Sequence, residues 1–491
     1  MSSDSFDLSQ VHFTRRADIV DPGKTIYNPE HSTVRTRKGD DQIIGTSSVS
    51  YDLGVSIRVT AEEVGLGTNP VGSGEVTTQA QLYVNGIINE GDIFTNRGRD
   101  IVSGSANAQF TAAASAASEA IAIASNANAT AIASSLAAIE ITGIANGINN
   151  SGRIFTGPGS DTISGEVKAG VAAVAQASID VTSIVTAIAQ APTSDGLKAV
   201  AAGFAQSIAK AKVVATGLNN NHGELRTGGG ADKISAAATS YSATYSEAEI
   251  SGFTTANPGN KALILGVIEA VAQTEEIAIA IYNQNGHMRT GYGDDTIEAT
   301  ANASDKTVGI YNKYGNINTG YGKDTIQIDI TGSESYGIYS GNVNAGYGAD
   351  TLNVSASGDK SYGIYGSNVN TGYGNDTIQV DVTGSESYGI YAGKINTGYG
   401  DDVLKTSTFG GGVNIQMGYG IDYVQGFGHA RVDGGEHFDT LSLGSYSKSD
   451  FNIYTSNGLT VFEMDGITME TTGFEKYTFA DGDYSFDNLI A

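Results

Sequence analysis

A mainly β, parallel β-solenoid is the fold this sequence predicts, and three observations carry the expectation. First, one motif recurs with small changes, as in Thr319-Gly320-Tyr321-Gly322-Lys323-Asp324-Thr325-Ile326, the pattern T-G-Y-G-x-D-T-I. Second, its central aspartates are Asp41, Asp100, Asp161, Asp232, Asp295, Asp324, Asp350, Asp376, Asp402 and Asp422, with gaps of 59, 61, 71, 63, 29, 26, 26, 26 and 20 residues. A degenerate copy around Asp439 follows 17 residues later. Third, 65 glycines, 25 tyrosines and no tryptophan in 491 residues are far from the composition of an ordinary globular enzyme. A period in the twenties, made of short apolar alternations between glycine turns, is what stacked coils require, since each coil is buried only by its neighbours.

Each element of a regular coil can be placed from pattern alone. Thr325-Ile326-Gln327-Ile328-Asp329-Ile330 alternates, so its isoleucines share one face of a strand. A second short strand recurs as Tyr336-Gly337-Ile338-Tyr339 and Tyr388-Gly389-Ile390-Tyr391, and a third, Asn342-Val343-Asn344, leads into the next glycine turn. Stacking then predicts ladders of Tyr321, Tyr347, Tyr373 and Tyr399 and of Asn318, Asn344, Asn370 and Asn396. The long early gaps hold alanine-rich excursions such as Phe110 to Ala138 and Leu197 to Ala215. Alanine favours helix, so helical or mixed insertions are expected there, with extra coils lacking a glycine turn as the competing reading. Four segments follow: an N-terminal segment or cap over 1–35, a solenoid with long insertions over 36–300, a regular solenoid over 301–425, and a C-terminal cap over 426–491.

Charge narrows the function. The net charge of −26 disfavours a nucleic-acid partner and points toward cations. With no cysteine there is no thiolate metal site, disulfide frame or Cys nucleophile. No transmembrane helix and no ordinary N-terminal signal is read from the sequence. The turn glycines supply positive φ and close backbone approach, but a turn does not require aspartate in every copy. Stacked carboxylates about 4.8 Å apart repel by roughly 0.9 kcal/mol even in water, so a column of them calls for a cation. Calcium takes six to eight oxygen ligands in flexible geometry, whereas zinc wants His or Cys ligands that these turns lack.

The motif resembles the nonapeptide G-G-x-G-x-D-x-(apolar)-x of the RTX, or hemolysin-type, calcium-binding repeats, in which successive turns of a parallel β-roll clamp calcium. Gly320, Gly322, Asp324 and Ile326 fall on its second, fourth, sixth and eighth positions. The resemblance assigns calcium ligation to the turns of Gly157, Gly159 and Asp161; Gly228, Gly230 and Asp232; Gly291, Gly293 and Asp295; Gly320, Gly322 and Asp324; Gly346, Gly348 and Asp350; Gly372, Gly374 and Asp376; Gly398, Gly400 and Asp402; and Gly418, Gly420 and Asp422. Two departures stand out: position one is usually threonine (Thr319, Thr371, Thr397), and the coil has one glycine turn per 26 residues instead of two. Several calcium ions along one edge are therefore expected. The turns at Asp41 and Asp100 carry Arg37, Lys38, Arg97 and Arg99 and rank as weaker copies.

Proteins of this resemblance leave bacteria in one step through a type I channel that reads an uncleaved C-terminal signal. Phe474 to Gly482 and the closing Asp487-Asn488-Leu489-Ile490-Ala491 look like such an ending; a capping strand pair is the plain alternative. The expected role is a secreted, calcium-binding structural or adhesive protein of the cell surface or matrix, with cell-surface polysaccharide or self-association as partners. The runner-up is a secreted β-helix enzyme of the polysaccharide epimerase or lyase type. For catalysis the sequence offers only His287 and Arg289 near Asp294 and Asp295, a set that reads more readily as a solvated solenoid edge.

Overall fold

The computed structural model describes residues 5–65, 69–125, 129–186, 198–256 and 261–489. In the regular region one coil is three short strands, Thr325–Thr331, Glu334–Tyr339 and Asn342–Tyr347. Each pairs in parallel and in register with its equivalent one coil on: Ile326 with Leu352, Tyr336 with Tyr362, Asn344 with Asn370. The alternation expected from sequence is obeyed. Ile326, Ile328 and Ile330 are buried, while Gln327 and Asp329 point outward. The chain is thus a parallel β-solenoid, continuous from the N-terminal segment to the C-terminal cap.

The alanine-rich segments correct the expectation of helix. They are strands of unusual length, Ile101–Ser125, Ala129–Asn150, Thr162–Thr186 and Lys198–Asn219, paired along nearly their whole length with coils on both sides; Leu197 lies outside the described residues. Strands of 25 residues reach about 80 Å at ~3.3 Å per residue. Alanine's helix preference, under about 1 kcal/mol per residue, is overridden because every second alanine, such as Ala112, Ala114 and Ala116, is fully enclosed between two sheets. Small side chains let those sheets approach so closely that hydroxyls of one reach carbonyls of the other. Ser135 Oγ donates to Ala116 O at 2.7 Å and Ser207 Oγ to Ala175 O at 2.6 Å. The early coils therefore carry a two-layered β wing.

Glycines mark where the wing leaves the solenoid body. A Cβ on Gly104 would sit 2.2 Å from Gly147 O, and one on Gly165 2.1 Å from Gly217 O, so the two layers meet there backbone to backbone. Beyond the fourth long coil the wing stops. The strand Lys233–Ala256 pairs onward only through Thr239, and Lys261–Tyr282 only from Ile277.

Two ladders run inside and along the body. Buried Asn28, Asn89, Asn150, Asn220, Asn283 and Asn312 pass hydrogen bonds from each Nδ2 to the next Oδ1 at 2.6–2.7 Å. Outside, Tyr292, Tyr321, Tyr347, Tyr373, Tyr399 and Tyr419 stack at 4.7–4.9 Å. The C-terminal end is closed by antiparallel strands, Asn452–Ser456, Leu459–Met464 and Ile467–Thr472, over a core that includes Phe451, Phe462 and Tyr477. Ile490 and Ala491, the last residues of the expected export signal, lie outside the described residues. No helix among the described residues is long and apolar enough to cross a membrane.

Candidate functional site

The motif aspartates form one buried column. Asp41, Asp100, Asp161, Asp232, Asp295, Asp324, Asp350, Asp376, Asp402, Asp422 and Asp439 are each at most 2 % exposed. Each sits immediately before the first strand of its coil, so the register of that strand fixes it above its predecessor. Its Oδ1 accepts the backbone N–H of the aspartate one coil earlier: Asp324 N to Asp350 Oδ1 at 2.8 Å, Asp350 N to Asp376 at 2.8 Å, and Asp376 N to Asp402 at 2.8 Å. The early copies bond alike, Asp41 N to Asp100 and Asp100 N to Asp161, both at 2.8 Å. Geometry does not separate the copies that the sequence ranked as weak from the strong ones.

The other carboxylate oxygen has no such partner. Oδ2 of Asp41, Asp100, Asp161, Asp295, Asp324, Asp350, Asp376, Asp402, Asp422 and Asp439 is buried without a hydrogen bond, whereas Asp232 Oδ2 accepts the Gly228 N–H at 3.1 Å. Burial disfavours the charged form. It raises Asp232, Asp350, Asp402 and Asp439 to about 7 and Asp161, Asp295 and Asp422 to about 6, while the backbone N–H on each carboxylate pulls the other way. Neighbouring threonine hydroxyls also lower several of these values, as Thr397 does for Asp402. Their protons, however, are committed elsewhere. Thr319 Oγ1 donates to Ala345 O at 2.9 Å and Thr397 Oγ1 to Met417 O at 2.6 Å. This explains why threonine stands where the calcium nonapeptide has glycine: a buried hydroxyl ties each coil to the next.

The motif glycines are steric requirements of stacking. Gly348 has φ +141°, and a Cβ there would lie 1.6 Å from Gly322 O; Gly346 has φ +107°, with the obstacle at 2.1 Å in Gly320 O. The same crowding holds at Gly157, Gly159, Gly228, Gly230, Gly291, Gly293, Gly320, Gly322, Gly372, Gly374, Gly398, Gly400, Gly418 and Gly420, each facing a carbonyl of the previous coil at 2.2 Å or less. Several turn carbonyls are spoken for, since Tyr347 O accepts the Gly322 N–H and Asp324 O the Thr351 N–H.

Two members of the column were not read from the sequence. Asp18 contributes its backbone N–H to Asp41 Oδ1 at 3.0 Å, and Glu475 closes the far end by accepting the Asp439 N–H at 2.7 Å. No glycine precedes Asp18 at the motif spacing, so only the spatial column reveals it; Glu475 stands two residues after Gly473 (φ +70°), the offset of Gly322 to Asp324, and glutamate in place of aspartate hid that signal. The catalytic candidates do not form one set: His287 and Arg289 point outward from the strand His287–Tyr292 and line a common groove, whereas Asp295 is inside the column.

The donor set suits a hard cation in kind, offering free carboxylate oxygens and main-chain carbonyls with no His or Cys. In number it is lean. Among the described residues no group of three or more His, Cys, Asp or Glu side chains is placed to hold a metal, so main-chain oxygens would have to complete any shell. No family model, curated protein or solved structure matches the chain.

Proposed function

We propose that this protein is an extracellular, calcium-linked solenoid with a structural or adhesive role, exported through its C-terminal segment. The observation that carries the reading is the column of buried aspartates whose Oδ2 atoms lack partners. At neutral pH such a column is either partly protonated or compensated by cations, because charges this close in a poorly solvated edge repel strongly. Oδ2 atoms of successive aspartates, such as Asp324 and Asp350, would hold the ion together with turn carbonyls; the ion would supply the positive charge that lets both stay ionised. The rest is done by this chain's own groups: Oδ1 holds the register, the glycines allow close approach, and the threonines clamp coil to coil.

Metal binding that occurs only in the folded state adds its free energy to folding. Extracellular modules bind calcium at about 10⁻⁴–10⁻³ M, which would leave the chain unfolded and exportable in a calcium-poor cytosol. Circular dichroism of the full chain with millimolar calcium against excess chelator tests the reading. Loss of the β spectrum in chelator at neutral pH and its return with calcium is expected; an unchanged spectrum and melting point would overturn the calcium assignment. Export is tested separately. Removal of about the last sixty residues, the span taken as cap and signal, should trap the chain inside cells, and normal secretion of the truncated chain would refute it.

A further inference from the structure

Arginine is distributed very unevenly in this acidic chain. Of eleven arginines, seven (Arg35, Arg37, Arg97, Arg99, Arg153, Arg226 and Arg289) belong to the third strand and adjoining glycine turn of the early coils, and Arg15 and Arg16 lie beside the first of these turns, where Arg16 packs against Gly39; Arg58 and Arg431 lie elsewhere. Parallel pairing brings them onto one face. Arg35 aligns with Phe94, Phe94 with Phe155, Phe155 with Arg226, and Arg226 with Arg289. Beside that column run Asp92, Arg153, Glu224 and His287, and Lys38 bridges to Arg97 at the turn. The nine guanidinium groups belong to exposed residues, and among the described residues only Arg153 of these nine is ion-paired, with Asp92.

The solenoid does not need these charges. From the next coil onward the same position is held by Asn318, Asn344, Asn370 and Asn396, and the last three bond along the stack, Asn370 Nδ2 to Asn344 Oδ1 and Asn396 Nδ2 to Asn370 Oδ1, both at 2.6 Å. Clustering these cations on one face raises local self-repulsion, and the ion pair of Arg153 and the ring contacts of Arg35 and Arg226 occupy only some of them, which points to a partner outside the chain. Arginine presents a planar fork that suits carboxylate or sulfate groups, so these residues recognise anions with geometry as well as charge.

The neighbours of the arginines decide among polyanions. Phe94 and Phe155 are half-buried between them, with Arg35 at 5.3 Å and Arg226 at 5.9 Å from the respective ring centres. Glu224, His287, Asn316 and Asn318 join Arg226 and Arg289 around a shallow groove of about 220 Å³. Carboxylates and amides interleaved with arginine accept hydrogen bonds from hydroxyls, so the face suits an anion that is also rich in hydroxyl groups. Exposed ring edges add apolar contact for the faces of sugar rings.

We propose that this arginine face is the docking site for an acidic polysaccharide, a hydroxyl-rich chain carrying spaced carboxylate or sulfate groups. This deepens the adhesive reading by naming its ligand class and rests on that reading. The test uses the full chain with calcium held at one concentration and measures binding to immobilised polygalacturonate and to a sulfated glucan, which separates the two anion sources. A triple variant, Arg35→Gln, Arg226→Gln and Arg289→Gln, is compared with a control of equal charge change, Lys323→Gln, Lys394→Gln and Lys405→Gln. Loss of three charge-assisted contacts should weaken binding about tenfold or more in the arginine variant and leave the control unchanged, with circular dichroism the same for both. Binding of either polymer with this contrast supports the proposal. Equal losses in both variants, no binding to either polymer, or tighter binding to duplex DNA or anionic vesicles would overturn it. A chelator-insensitive fold would instead strike the calcium reading and leave this one standing.

Discussion

Replacing Asp350 by Asn separates the charge of the aspartate column from its shape. The amide oxygen still accepts the Asp324 N–H, at 2.8 Å from Oδ1 in the native chain, while the negative charge is gone. Burial raises the Asp350 carboxyl from 3.8 to about 7, so the folded state binds this proton more tightly than the unfolded state. Without metal, the resulting stability is fully present in the acid range below the unfolded value and is lost as pH rises through about 7. Between about pH 4 and pH 7 the full shift corresponds to about 4 kcal/mol, and solvent screening near the turn edge brings this to roughly half. In chelator near pH 8, Asp350→Asn should therefore be more stable than the native chain by about 2 kcal/mol, and below about pH 4 the two should converge. If the native chain is unfolded in chelator at pH 8, the same difference appears as folding of the variant at a higher pH during acidification. In excess calcium the sign should reverse, since the variant has lost a charged ligand. Urea titrations followed by circular dichroism, with and without calcium, read all of these values. A variant less stable than the native chain in chelator at pH 8 would refute the reasoning, because the buried charge would then be favourable without any ion.

Three further outcomes are expected. Asp100→Ala and Asp350→Ala should weaken calcium-linked stability to a similar degree, because both aspartates accept a neighbour's N–H at 2.8 Å within one column; an effect confined to Asp350 in calcium titrations would restore the sequence-based ranking of the copies. Gly348→Ala should cost more than about 3 kcal/mol or prevent folding, since its Cβ would lie 1.6 Å from Gly322 O, whereas Gly366→Ala, at φ +61° with open space around it, should cost about 1 kcal/mol, with thermal melts deciding. Asn220→Leu should lose about 2–4 kcal/mol by urea unfolding, because it removes the acceptor of Asn150 Nδ2 and the donor to Asn283 Oδ1 in a buried ladder.

Much of this was legible in the sequence because a solenoid repeats its requirements. The strand alternation at Ile326, Ile328 and Ile330, the three-strand coil and the tyrosine ladder all follow from a period that one chain displays many times over. The wing was not, because composition speaks for the residue and not for its surroundings. Ala112 or Ala209 in isolation favours helix, and only two flanking coils and an opposing sheet turn it into a strand. The aspartates were legible as a set, but their burial and the division of labour between Oδ1 and Oδ2 were not, since these depend on which side of the turn the side chain enters. The buried asparagines escaped for a related reason. Asn89, Asn150 and Asn220 are spaced by whole long coils of unequal length, so no fixed period announces them.

Coil stacking also frees the length of the molecule from its ends. Asp324 is followed by Thr325 and Asp350 by Thr351, and the 26 residues between make one complete circuit of the three strands. Joining Asp324 directly to Thr351 would drop one circuit while leaving the aspartate, tyrosine, threonine and asparagine columns unbroken, because residues on either side of the cut already occupy equivalent lattice positions. Each such unit advances the axis by about 4.8 Å. The regular block behaves as a ruler graduated in whole coils, so the distance between the arginine-bearing early coils and the capped terminus can be reset by copy number alone, with no change to either end.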